Sequence, residues 1–195
     1  MAHTTLIVPG FHGSEAEHWQ TWMESVLPDA RRVTGIDWES PVLSRWAQAV
    51  GDEITRSTGP VWLVAHSFGC LATVTAASRL SSRVAGVMLV APADPDRFSL
   101  FGTRAPSDTA ESLASRLPSR PLEFPGLVVA STNDPWMPMA KLLPWSTRWS
   151  MPVINIGNAG HINVASGFGP WPQGLDLLRA LQQQSSSEVR RVGCG

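Results

Sequence analysis

Val61-Trp62-Leu63-Val64-Ala65-His66-Ser67-Phe68-Gly69-Cys70, running on through Leu71 to Leu80, decides how this chain folds. The five apolar residues 61–65 read as a strand buried on both faces. His66-Ser67-Phe68-Gly69 makes a tight bend, and 70–80, rich in small residues, continues as a helix. A serine on such a turn is lifted clear of the carboxyl edge of a sheet, and the free N–H groups at the helix start point the same way. Strand and helix pass close together there, so the flanking positions must be small. Ala65 and Gly69 meet that need. The pattern small-x-Ser-x-Gly also fits an ordinary turn with a capping serine, so the rest of the chain has to decide.

At 195 residues the chain suits one domain with a real core. Its residues are 43% hydrophobic and 16% charged, the balance of a compact soluble protein. A net charge of -1 offers no basic face to nucleic acid or anionic lipid. No apolar run approaches the roughly 20 residues of a membrane span. Met1 to Thr5 leads into a strand without the charged start and apolar core of a signal peptide, so a cytoplasmic protein is expected. Cys70 and Cys194 suggest neither a disulfide framework nor a metal site.

Along the chain, Thr4 to Val8 reads as the first strand and empties into Pro9-Gly10-Phe11-His12-Gly13-Ser14. Glu17 to Leu27 reads as a helix with Trp19 and Trp22 on one face, and His18 there reads as a packed or capping residue. Arg32 to Trp38 reads as the second strand. Ser40-Pro41 starts a helix whose Val42, Trp46, Val50 and Ile54 make an apolar stripe. After the strand–Ser67–helix unit, Val84 to Val90 is a fourth apolar strand. From Arg97 to Pro125 the pattern weakens into a Ser-, Arg- and Pro-rich stretch with one short helix near 109–115, a natural place for a small cap or mobile loop. Gly126 to Thr132 is the fifth strand, a helix over 139–149 is broken by Pro144, and Pro152 to Ile156 is the sixth strand. A last helix over 171–183 carries Leu175, Leu178 and Leu181, leaving 184–195 as a polar, disordered tail. Strands apolar on both faces and alternating with helices make a parallel sheet covered on both sides.

Ligands of such sheets bind beyond the carboxyl ends of the strands. Ser67 follows the third strand, Asp134 the fifth and His161 the sixth, and the chain order Ser…Asp…His is that of the α/β-hydrolases. In that arrangement Ser67 is the nucleophile, His161 the base that takes its proton, and Asp134 the group that orients the imidazole. Asp94 and Asp96 follow the fourth strand and are rival acids. His12 and His66 lie near the site in space, but both precede the acid in sequence. Pro9 has no N–H to give, so the backbone N–H groups of Phe11 and Phe68 are the expected oxyanion donors. Gly10, Phe11 and Trp136 are expected at the substrate, with Phe68 and part of the 97–125 segment also lining the pocket. No metal or organic cofactor is called for.

Val8-Pro9-Gly10, His18-Trp19-x-x-Trp22, His66-Ser67-Phe68-Gly69, Ala91-Pro92-Ala93-Asp94, Asn133-Asp134-Pro135 and the run from Asn158 to Pro172 together resemble the small serine hydrolases related to retinoblastoma-binding protein nine and the bacterial YdeN-like proteins. The resemblance spans Leu6 to about Leu181. It implies a minimal, single-domain α/β-hydrolase with about six parallel strands in the order 2-1-3-4-5-6, no large lid, and the nucleophile, acid and base at Ser67, Asp134 and His161. It also implies action on esters or aminopeptidase-type substrates. Ala65 and Trp136-Met137 depart from the family pattern. The expected function is cleavage of a small-molecule ester or amide through an acyl-enzyme. The alternatives are an acyltransferase or aminopeptidase using the same residues, or a protein-binding module on a hydrolase fold.

Overall fold

The computed structural model describes residues 3–105 and 107–192. Six strands, β1 (Thr5–Val8), β2 (Ala30–Arg32), β3 (Val61–His66), β4 (Val84–Val90), β5 (Gly126–Ala130) and β6 (Val153–Asn155), form one sheet in the order 2-1-3-4-5-6. Every neighbouring pair is parallel. Five helices connect or flank them: α1 (Trp19–Val26), α2 (Leu43–Arg56), α3 (Phe68–Ala77), α4 (Met139–Trp149) and α5 (Pro172–Val192).

Successive strand residues point to opposite faces, and here both faces are apolar. Leu6, Val8, Leu63, Ala65, Val87, Leu89, Val128 and Ala130 join one core with α2, α3 and α4. Ile7, Trp62, Val64, Met88, Val90, Leu127 and Val129 join another with α1 and α5. The all-apolar strand runs come from this double burial. All ten residues of α3 are buried, which explains its run of small side chains.

Several boundaries differ from expectation. β2 is a three-residue edge strand at Ala30–Arg32, because Gly35 at φ +77° turns the chain away before 32–38 can extend. α2 starts at Leu43 with Val42 at its cap, not at Ser40-Pro41. The Ser40 carbonyl is instead held by Trp46 Nε1 at 2.8 Å. Pro144 does not break α4, which runs through it to Trp149. α5 continues past 183 to Val192, since 184–192 holds no glycine or proline to stop it; 193–195 lie outside the described residues. Cys194 is among them, and Cys70 is buried.

The segment 97–125 packs Leu113, Leu117, Leu122 and Phe124 into the core. It also carries a small antiparallel hairpin, Phe98–Ser99 with Gly102–Thr103. β2 is tied to α2 by Glu53, which is 4% exposed and accepts from Arg31, from Thr34 Oγ1 at 2.9 Å and from Arg56 at 2.7 Å.

Candidate active site

Ser67 sits between β3 and α3 at φ 53°, ψ -125°. A residue with a Cβ rarely occupies that region, and holding it there costs about 1–3 kcal/mol. The turn is fixed from both sides: Ser67 N–H donates to Val90 O at 3.1 Å, and Ser67 O accepts from Ala93 N–H at 3.2 Å. Gly69 packs so tightly on β1 that a Cβ would lie 2.3 Å from Pro9 O and 2.6 Å from Val8 O. Gly10 faces Ser67, where a Cβ would come within 2.7 Å of Ser67 Cβ. The β1 loop therefore runs in contact with the serine, and glycine is what lets it.

The three separated side chains meet. His161 Nε2 lies 2.8 Å from Ser67 Oγ, and His161 Nδ1 lies 2.9 and 3.0 Å from the two oxygens of Asp134. A carboxylate only accepts, so Nδ1 carries the hydrogen and Nε2 is left to receive the serine proton. Asp134 is held by its own Asn-Asp-Pro turn, its Oδ1 accepting from Trp136 N–H at 2.8 Å. Ser67 is partly exposed, while Asp134 and His161 are each 7% exposed.

The rivals are occupied elsewhere. Asp94 accepts from Lys141 Nζ at 2.6 Å, and Asp96 accepts from the same Nζ at 2.9 Å. Ser112 and Lys141 hold the Asp96 carboxyl below its ordinary value, and both aspartates raise that of the lysine. His12 is exposed and pairs with Glu39 at 2.8 Å. His66 does more than pack: its Nε2 lies 2.9 Å from His161 O. Burial, then the neighbouring His161 and His18, hold the His66 imidazole well below its ordinary value, so it is neutral. His18 is lowered to about 4 by burial, Arg32 and His161, while its Nδ1 caps α1 by accepting from Gln20 N–H at 3.1 Å.

Two N–H groups beside the serine are free. In the β1 loop His12 N–H donates to Trp38 O and Gly13 N–H to Gly10 O, but Phe11 N–H has no protein acceptor among the described residues. Phe68 N–H, at the first position of α3, has none either. A cavity of about 230 Å³ opens over Ser67, lined among others by Phe11, His18, Phe98, Trp136, His161 and Asn163. Phe68 does not line it as expected. Its fully buried ring packs on Trp46 and Phe98, with centroids 5.0 and 4.6 Å away. Phe98 lines it instead, from the 97–125 segment expected to contribute to the pocket, although no pattern within that irregular stretch singles out this residue. His18 had a signal, since it adjoins Trp19 at the start of an amphipathic helix. Trp136 stands at the rim, 40% exposed, beneath the Arg97 guanidinium at 4.7 Å.

A family model described as serine hydrolase matches residues 5–180. The chain belongs to this serine hydrolase family, and its fold is that of the α/β-hydrolases. It is similar to a protein of Pectobacterium atrosepticum described as a YdeN-like hydrolase, with 37% identity, coverage of 93% of this chain and 91% of that one, and a TM-score of 0.82. The ydeN gene product of Bacillus subtilis shares the fold at 20% identity and TM-score 0.72, over 92% of this chain and 98% of that one. So does Est1E of Butyrivibrio proteoclasticus, solved with ferulic acid bound, at 16% identity and TM-score 0.67, over 97% and 90%. No curated protein matches the chain. Among the described residues no helix is long and apolar enough to cross a membrane.

Proposed function

We propose that this hydrolase works in the cytoplasm and cleaves a small ester through an acyl-enzyme formed on Ser67. The observation that carries the reading is the unbroken chain Ser67 Oγ–His161 Nε2 at 2.8 Å and His161 Nδ1–Asp134 at 2.9 Å. Ser67 Oγ attacks the ester carbonyl as its proton passes to His161 Nε2, and the carbonyl π electrons move onto oxygen. The oxyanion is met by Phe11 N–H and Phe68 N–H. One such donor contributes about 3–4 kcal/mol to lowering the barrier. The intermediate collapses, the C–O bond breaks, and His161 returns the proton to the leaving alkoxide. Water, deprotonated by His161, then attacks the acyl carbonyl, the proton goes to Ser67 Oγ, and the acid leaves.

The size of the cavity supports a small acyl group. At about 230 Å³ it falls below the ~300–1,000 Å³ of sites that enclose drug-sized ligands. Phe11, Phe98 and Trp136 give it apolar walls. Intact-mass analysis after treatment with a fluorophosphonate tests the reading. The wild type should gain one adduct, mapped to Ser67, and turn over a short-chain aryl ester, and S67A should do neither. A wild type that gains no adduct and cleaves no member of a panel of acyl esters and aminoacyl amides contradicts it.

A further inference from the structure

The His18-Trp19 pair takes no part in ester chemistry as derived above, yet it is buried against the loop that carries His161. Trp19 is fully buried, and its indole Nε1–H donates to Ile162 O at 2.8 Å. One residue earlier in the same loop, His66 Nε2 meets His161 O at 2.9 Å. A carbonyl only accepts, so His66 is the donor. Two successive carbonyls of the loop are thus gripped by ring N–H groups from two different elements, α1 and the end of β3. Between them lies Ile162, a β-branched residue at φ +49°. Such a residue holds a left-handed backbone only where its surroundings over-determine it.

The amides of the loop are held from the other side. Ala159 N–H donates to Ser131 Oγ at 2.9 Å, Gly160 N–H to Asn133 Oδ1 at 2.8 Å, and His161 N–H to Ser166 Oγ at 3.1 Å. The first two bonds tie the loop to the segment leading into the Asp134 turn, and the third braces it internally. They leave the carbonyls of His161 and Ile162, and only Trp19 and His66 engage these among the described residues.

We infer that Trp19 and His66 are positioning residues, a two-point clamp on the carbonyls of His161 and Ile162 that locks the strained loop and so holds the imidazole between Ser67 and Asp134. The inference rests on the reading of His161 as the catalytic base. Without the clamp Ile162 relaxes toward negative φ, the root of the His161 side chain moves, and its two hydrogen bonds no longer form together. Misplacement of about 1 Å costs on the order of 100-fold in rate. Trp19 does not line the cavity, so its effect falls on kcat and not on substrate binding. Trp171 supplies the control: it packs edge-to-face on Trp19 at 5.3 Å and has no side-chain hydrogen bond among the described residues.

The test compares the wild type with W19F, W171F, H66L and H66Q. It uses kcat and KM on a short-chain aryl ester, and the low-field proton resonance of the His161–Asp134 hydrogen bond. W19F and H66L should lose kcat by about 10- to 100-fold, with KM of W19F within about twofold of wild type and the resonance broadened in both. H66Q, whose amide N–H can still donate, and W171F should keep kcat and a sharp resonance. The clamp is overturned if folded W19F keeps wild-type kcat and a sharp resonance, or if W171F loses as much as W19F. Should H66L fail to fold, W19F against W171F decides. A wild type without ester turnover sinks the ester-hydrolase reading alone, because the resonance across the variants still decides the clamp.

Discussion

Gly69 and Ala65 are both small, but for different reasons. At Gly69 the constraint is space, since any Cβ meets two backbone carbonyls of the β1 end. At Ala65 the backbone is an ordinary strand without positive φ, so the freedom of glycine has no use there and the methyl group fills buried space. A65G should therefore cost about 0.5–1 kcal/mol of stability and leave ester turnover intact. G69A should cost about 1–3 kcal/mol, a fall of several degrees in melting temperature, and should also cut turnover by pushing the Phe11 loop off Ser67. Melting curves and kcat for the two variants check this; G69A melting and turning over like wild type would contradict it. The sequence pattern could pose the need for small residues but not tell these cases apart. The distances to Pro9 O and Val8 O depend on packing between β1 and α3, which lie some sixty residues apart in the chain.

At the scale of elements, His18 at the head of α1 and His66 at the end of β3 are buried neutral, their rings 5.0 Å apart. An unfolded chain protonates both near the ordinary value of about 6.5, whereas the folded chain refuses the proton, at His18 down to about 4. Above pH 6.5 neither group costs stability. Below it, stability falls as pH falls, by up to roughly 1.4 kcal/mol per pH unit for each histidine, and the contribution of His18 levels off near pH 4. Urea midpoints should drop between pH 7 and 5, and H18N, which keeps an acceptor at the cap, should lessen the drop. Midpoints flat across that range would contradict the burial argument. Elements buried on both faces were legible because their composition admits one reading: β3, β4 and β5 lie within two residues of where the apolar runs place them, while α3 starts at Phe68 and ends at Ala77, short of Leu80. The edges were not. β2 pairs with one neighbour only, so three residues suffice, and the β-branched run that resembled a strand continues beyond the pairing. The start of α2 depends on Trp46 reaching back to Ser40 O, a tertiary contact that overrides the local Ser-Pro signal.

Across the whole molecule, the parallel order 2-1-3-4-5-6 turns three distant residues into neighbours. Each stands just past the carboxyl end of its strand, and parallel strands put those ends on one rim. That geometric rule is why the meeting of Ser67, Asp134 and His161 was legible in the sequence. It is also why Phe98 and Asn163 were not singled out, since they reach the same cavity from a hairpin and a short turn with no strand end to announce them. If the three side chains work as one catalytic unit, removing one should disable it as fully as removing two. The most direct measurement is kcat for S67A, H161A and the S67A/H161A double variant on one short-chain aryl ester. Each single variant should lose at least about 10⁴-fold, and the double no more than the worse single. Losses that multiply in the double variant, or a single variant that keeps near-wild-type kcat, would contradict the account.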